Sequence, residues 1–427
     1  MESLLIILVS GLSVVFFVIG VPIFLIIAHW IIWISIIIDF TLANLSVTLF
    51  EGINFFGLLA LPLFILTGDI INAAGIAKRL TDFAYQTLGW LRGGLGIAAL
   101  GACGMFAAIS GSNAATTATI GSIMNKEMSD GGYDSRFTAA TLASGGVVGI
   151  IIPPSVIFVI YGFLLSIPIG DLFMAGLLPG FIMIVGMQLV CLLLSWKFGW
   201  GKIIPFRAGN SIRSAGRAYL GFMAIAIVLF GIYGGVFSPT EAAGITAVFG
   251  LLSGVLITRE IKLRAIPQIL LRSGQVAGLL VPLVAVSIVM QQILSILGAP
   301  QYVSSLFNQV GGYYTTMAIC MAMILFVGCF LESVPVVIIL APILAPIVYN
   351  LGVEPIHFAI IFVVGTSIGF ITPPFGLNLF VASSLTRIPF LQIVPFVIPY
   401  LVSLLLAWAA IITIPELSTY LPSISGM

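Results

Sequence analysis

Apolar runs of roughly 20 residues recur along the chain from Leu4 to Ile414, each long enough to cross the ~30 Å hydrocarbon layer of a bilayer. In hydrocarbon every backbone N–H and C=O needs a partner inside the protein, so a succession of such runs folds as packed helices. Composition agrees: 61% of the 427 residues are hydrophobic and 7% are charged, where a soluble domain carries about 25% charged residues. The first run, Leu4 to Ala28, has no basic leader and no Ala-x-Ala site and exceeds a signal h-region of about 7–15 residues. It reads as a retained helix. A net charge of +1 gives no reason to expect a nucleic-acid partner. Cys103, Cys191, Cys320 and Cys329 stand singly in apolar runs and read as packing residues.

The 15 Lys and Arg residues are bunched. If crossings lie at residues 4–28, 29–50, 52–76, 137–165, 172–196, 218–237, 240–258, 275–297, 356–385 and 391–413, with hairpins at 93–129 and 314–350 that enter and leave on one side, every basic residue falls on one face. Glu2, Glu51, Asp171, Glu354 and Glu416 fall on the other. The positive-inside rule makes the basic face cytoplasmic and puts both termini outside. The expected location is a bacterial inner membrane, crossed many times. The stretch Gly201 to Arg217 reads as a cytoplasmic connector or interfacial helix.

Gly149 to Ser155, GIIIPPS, and Gly369 to Phe375, GFITPPF, share four of seven positions at an offset of 220 residues. Nearly the same offset pairs Pro62 with Pro282, Phe137 with Phe358, and Gly104-Met105-Phe106 with Gly328-Cys329-Phe330. Ordered matches of this kind indicate duplication, and on the topology above the two Pro-Pro helices run in opposite directions. Inverted repeats with Gly/Pro-interrupted spans at matching positions point to a secondary transporter and to its site.

Four segments then stand out. Ser144-Gly145-Gly146-Val147-Val148-Gly149 before Pro153-Pro154, and Gly365-Thr366-Ser367-Ile368-Gly369 before Pro373-Pro374, cannot be continuous helix, because proline removes a donor and clashes with the preceding turn. The hairpin tips, Ser110-Gly111-Ser112-Asn113 and Leu331-Glu332-Ser333-Val334-Pro335, each end one half-helix and begin another. Freed carbonyls at half-helix C-termini suit sodium, and N-terminal ends suit a carboxylate. Plainer readings compete: the serines as a small-residue packing patch, the prolines as kinks, Glu332 as a cap rather than a functional intramembrane acid. Asp39 and Asp69 read as structural, Ser238-Pro239-Thr240-Glu241 as a helix cap, and His29 and His357 as side chains at span ends with no second metal ligand.

At these residues the sequence resembles the large membrane subunit of tripartite ATP-independent periplasmic (TRAP) transporters, the DctM-like family of the ion transporter superfamily. The marks are Gly104 to Glu127, Gly149 to Ser155 followed by Tyr161-Gly162, Phe237 to Ala243, Leu340 to Pro346 and Gly369 to Phe380. The sequence departs from the family pattern at Glu332, where aspartate is the usual acid. The resemblance implies an all-α polytopic membrane protein, an inverted repeat with two re-entrant helical hairpins and two broken helices. It also implies an elevator, in which a transport domain slides against a fixed scaffold. The chain then divides into N-terminal scaffold helices (1–76), the first half of the transport domain (77–171), scaffold helices and connectors (172–274 and 275–313), the second half of the transport domain (314–390) and a C-terminal helix (391–427). Two or more Na+ ions and no organic cofactor are implied. One sodium site takes Ser110, Ser112, Asn113, Gly145, Val148, Gly149 and Pro153, the other Gly328, Glu332, Ser333, Thr366, Gly369 and Thr372. Ser112, Asn113, Ser155, Ser333, Pro374 and Asn378 would face the substrate, a small organic anion such as sialic acid or a C4-dicarboxylate. The implied partners are a small four-helix membrane subunit and a periplasmic substrate-binding protein.

Three rival functions exist. An intramembrane enzyme needs a nucleophile and base within reach, which the span-end histidines do not offer. A channel explains interrupted helices but not paired, inverted ones. A stand-alone sodium/carboxylate carrier of the same superfamily differs only in needing no binding protein. The sequence further predicts a cavity free of Lys and Arg, hence weak intrinsic affinity for an anion.

Overall fold

The computed structural model describes residues 2–201, 205–299, 301, 302, 305 and 312–425; Lys202 therefore lies outside the described residues. These residues are mostly helical, with no strand among them.

The N-terminal run is divided differently from the expected crossings at 4–28 and 29–50. Helix α1 (Glu2–Ile19) ends at Gly20, φ +89°, and α2 (Ile23–Ile37) turns back behind Pro22. A third helix, α3 (Leu42–Ile53), starts beyond Asp39, itself at φ +57°, with Thr41 accepting the Asn44 amide at 3.4 Å. A hydropathy window passes over Gly20 and Pro22, but a left-handed residue followed by a proline cannot continue a helix. After a short turn at Phe56–Leu59, α4 (Ala60–Ala73) follows, then α5 (Ile76–Leu88). The latter fills the interval between the expected crossing at 52–76 and the expected hairpin at 93–129. It buries Ile76, Ala77, Leu80 and Ala84 on one side and exposes Lys78 on the other, an amphipathic pattern without an apolar run.

Both expected hairpins are present. The first pairs α6 (Gly94–Ser110) with α7 (Asn113–Asp130) and the second pairs α14 (Tyr313–Phe330) with α15 (Ser333–Asn350). Both broken helices are present too. In the first, α8 (Ser135–Gly145) passes through a 3-10 turn at Gly146–Ile150 into α9 (Val156–Leu165); in the second, α16 (Pro355–Gly369) stops before α17 (Leu377–Thr386). Their four pieces run 10 to 15 residues, so none reaches the ~20 residues a spanning helix needs.

Three of the four connecting helices are longer than hydropathy suggests. Between the hairpin–break units lie α10 (Ile169–Phe198), α11 (Ala208–Tyr233), α12 (Pro239–Leu252) and α13 (Ile266–Ile296). The crossing expected at 218 begins at Ala208, so Arg213 and Arg217 belong to the helix and not to a separate connector. Helix α13 likewise starts nearer Arg264 than the expected 275. Arg and Lys are good helix formers, so the helices continue beyond their apolar cores. Ser238 and Glu241 form a capping box at α12, as read. The tail is two helices, α18 (Phe390–Thr413) and α19 (Glu416–Ser425), divided before Pro415, where Ser418 meets His357 Nδ1 at 2.7 Å.

The duplication has a geometric signature. Ser367 Oγ donates to the Val147 carbonyl across a separation of 220 residues, the offset of the repeat itself. Equivalent positions of two related halves touch only where the symmetry axis passes between them. The two breaks therefore meet at this contact, and Phe137 and Phe358, another equivalent pair, are fully buried.

On the basic face Asp134 caps α8, accepting the amides of Arg136 at 2.8 Å and Phe137 at 3.4 Å and the Arg136 guanidinium at 2.7 Å. These bonds, that of the Arg136 side chain first, hold its carboxyl below the ordinary 3.8. A depressed carboxylate contributes stability above its unfolded pKa and loses it as pH falls through the folded value. Asp134→Ala should therefore cost about 1 kcal/mol. In thermal melts, the variant should melt below the parent at pH 7, with the gap narrowing on acidification to about pH 3; equal melting at pH 7 would count against the cap.

Candidate functional site

Gly111, at φ +61°, reverses the chain at the first tip, where Ser112 accepts the Ala115 amide at 3.4 Å and starts α7. Ser110 pairs with Thr116 at 2.9 Å. Asn113 does the bridging: its Oδ1 accepts the Ile150 amide at 3.0 Å, and its Nδ2 donates to Ser367 Oγ at 2.8 Å. One side chain thus ties the first tip to both breaks.

Glycine sets how closely tip and break approach. A Cβ at Gly149 would lie 2.7 Å from the Ser112 carbonyl carbon and 2.8 Å from Asn113 Cα. In the second half, a Cβ at Gly369 would lie 2.7 Å from the Gly328 oxygen and 2.9 Å from the Cys329 nitrogen, and Gly328 rests on the Thr366 backbone. Gly376 donates to the Cys329 carbonyl at 3.2 Å, closing the loop after Pro374 onto the hairpin. Gly145 faces elsewhere, toward Cys103 and Leu100 of α6.

Near the first break lies an oxygen cluster that the sequence reading missed in part. A Cβ at Gly146 would overlap Thr117 Oγ1 and stand 2.9 Å from Asn378 Nδ2 and 3.0 Å from the Asn113 carbonyl oxygen. Thr117 and Asn378 are fully buried, and Thr117 Oγ1 and Asn378 Oδ1 have no hydrogen-bond partner among the described residues. Asn378 Nδ2 is held by the Ala143 carbonyl at 3.1 Å. Unsatisfied buried oxygens cost about 1–3 kcal/mol each and hard cations take oxygen ligands, so Thr117 Oγ1 and Asn378 Oδ1 are the atoms a cation could use here, while the Asn378 atom facing Gly146 is its nitrogen. Thr117 lies outside the four segments singled out in the sequence, and only the fold brings it to Gly146.

The other named residues take varied positions. The Val148 carbonyl is occupied by the Ile151 and Ile152 amides at 3.1 Å. Ser155 is buried, donating to the Ile150 carbonyl at 2.6 Å and accepting the Phe158 amide at 3.3 Å, so it caps α9. Pro153 is buried and Pro374 exposed. Thr366 and Thr372 hydroxyls bond back to Phe362 and Ile368, at 2.9 and 2.8 Å.

A cavity of about 390 Å³ opens beside the tips, lined among others by Ser112, Asn113, Glu332 and Ser333, and by Asp69 and Arg272. Glu332 occupies the N-cap position of α15 without a side-chain capping bond and is exposed to this space. A Cβ at Gly68 of α4 would lie 3.4 Å from Ser110 Cα, so that helix packs closely on the first tip. The cavity is not free of basic side chains. Arg272 lines it because α13 begins at Ile266, upstream of its apolar stretch.

Comparison with known proteins accords with this geometry. Residues 10–417 match the family described as tripartite ATP-independent periplasmic transporter, DctM component. The C4-dicarboxylate TRAP transporter large permease protein DctM of Pseudomonas aeruginosa is 37% identical over 90% of each chain. The sialic acid TRAP transporter large permease protein SiaM of Vibrio cholerae is 30% identical over 87% of this chain and 88% of that one. Among solved structures the Alcanivorax borkumensis YdaH transporter, described as having an unusual topology, aligns with a TM-score of 0.61 at 13% identity, over 91% of this chain and 90% of that one, which speaks to the fold alone. With the hairpins, the breaks and a family match over nearly its whole length, the chain belongs to the DctM family, the large permease component of tripartite ATP-independent periplasmic transporters.

Proposed function

We propose that this permease drives uptake of a small carboxylate by coupling it to sodium, with the two hairpins and two broken helices moving as one body past the remaining helices. The observation behind the coupling is that Thr117 Oγ1 and Asn378 Oδ1 are buried and unpaired, on two residues that meet at Gly146 together with the Asn113 carbonyl. A cation there would give them a partner and draw the first tip onto its break; the Gly328–Thr366–Gly369 contact with Glu332 and Ser333 would form the second site. The substrate carboxylate would then face the N-termini of α7 and α15, where the helix dipole favours negative charge. C4-dicarboxylates are the class to test first, since relatives bearing that description reach 37% identity and the sialic acid relative 30%.

Under this reading a soluble binding protein presents the anion at the outer face and a small membrane subunit extends the fixed scaffold. A DctMQ isethionate permease, 36% identical and of which the chain covers 58%, supports a second membrane component. In proteoliposomes, succinate uptake should require an inward sodium gradient, the small subunit and the binding protein together. Robust sodium-driven uptake of free succinate by this chain alone would favour the stand-alone carrier.

Orientation is tested separately. With the four native cysteines removed, single cysteines at Arg213 and Asp171 should react with an impermeant thiol reagent from opposite sides. Labelling of both from one side would refute the inverted arrangement in the membrane.

A further inference from the structure

We infer that Arg272 is a specificity residue, binding the second negative charge of a dicarboxylate while Asp69 serves as its resting counter-ion. The inference rests on the carboxylate reading above and names the group that would tell a dianion from a monoanion.

Arg272 is the basic residue among those lining the tip cavity. Its side chain is 76% exposed, and its contact with Asp69 is loose, Nε to Oδ1 at 3.9 Å. The other Asp69 oxygen is held firmly, by Ser273 Oγ at 2.7 Å, and the Asp69 side chain is 25% exposed. The acid is thus fixed by a neighbour while the guanidinium remains open to the cavity. A guanidinium has five N–H donors and matches a carboxylate in a two-pronged fork. At 3.9 Å from Nε, Asp69 uses that capacity poorly, and a substrate carboxylate can take the fork without leaving Asp69 bare, since Ser273 stays bonded to it.

The placement divides the labour. Apart from the Glu332 acid, which the proposed second sodium ion would offset, the tips offer hydroxyls, an amide and helix N-termini, which suit one carboxylate of modest binding strength. Arg272 and Asp69 stand on α13 and α4 and line the same cavity as Ser112 and Ser333. These two helices carry Pro282 and Pro62, equivalent positions of the repeat. A small dianion in the cavity can therefore meet a tip at one end and Arg272 at the other, whereas a monocarboxylate of equal length leaves Arg272 to Asp69. If the tips move past α4 and α13, this fork contacts the substrate only at the end of the stroke seen here. Arg272 would then also determine how readily the substrate leaves.

The test uses the full chain with its small membrane subunit, purified and saturated with sodium, with equilibrium binding of succinate and of butyrate as probes. A bond to a charged group lost in Arg272→Gln should weaken succinate binding about tenfold or more and leave butyrate within about twofold, collapsing the discrimination between them. Arg272→Lys should restore charge but not the fork and fall between. Asp69→Asn, which removes the competing charge, should tighten succinate binding. An unchanged succinate-to-butyrate ratio in Arg272→Gln, with the parent binding succinate normally, overturns this assignment and leaves the carboxylate reading intact. A parent that binds neither probe in sodium overturns both. Because Arg272 is largely exposed, a folding defect is not expected, and the Asp69→Asn result stands independently: weaker succinate binding there also contradicts the assignment.

Discussion

Gly369→Val and Gly149→Val should each abolish sodium-driven succinate uptake while the chain still inserts in the membrane. The added side chain meets backbone, not a flexible neighbour: the Gly328 oxygen at 2.7 Å in one case, the Ser112 carbonyl carbon at 2.7 Å in the other. Overpacking of this kind costs about 1–3 kcal/mol or more, and the tip must retreat from the break to relieve it. Any ligand held jointly by the two elements then loses half its coordination. Gly170→Val, where a Cβ meets nothing within 4 Å, is the control and should transport normally. Normal sodium-dependent uptake by both break variants would show that the seating of tip on break is irrelevant to transport.

The second large effect is expected at Asn113. Truncation to alanine frees the Ile150 amide and Ser367 together, and an unpaired buried donor costs about 1–3 kcal/mol. Sodium binding that draws tip and break together must then supply that energy, so Asn113→Ala should raise the sodium concentration for half-maximal uptake by about tenfold. Ser110→Ala should do less, because Ser110 is bonded to Thr116 within the same hairpin. Measured sodium titrations that match the parent in both variants would count against the first site.

The parts most legible in the sequence were those that defy ordinary helix chemistry. Gly111, Gly149 and Gly369 with the paired prolines announced turns and breaks inside apolar runs, and the hairpins span 94–130 and 313–350 in the structure. Less legible was whatever depends on a polar helix extending an apolar one. Hydropathy ends α13 near 275, yet the helix continues back to Ile266 and brings Arg272 to the cavity; the argument that weak anion affinity follows from a cavity without Lys or Arg falls with it. The division of residues 2–53 into three helices turned on Gly20 and Asp39, single residues in the left-handed region. Thr117 illustrates a third class. Nothing in its local sequence distinguishes it from Thr116, which is bonded to Ser110, and only the approach of Gly146 marks it. Asp69, read as structural, is bonded to Ser273 as a structural acid would be, yet it also borders the cavity beside Arg272.

Coupling is the centre of the account, and counting ions tests it most directly. Proteoliposomes holding the complete assembly would be given labelled succinate and labelled sodium, and the initial uptake of each would be measured together. The account predicts sodium entry strictly tied to succinate entry, with two or more ions per succinate and with the ratio disturbed in Asn113→Ala. Succinate accumulation without accompanying sodium flux would contradict it.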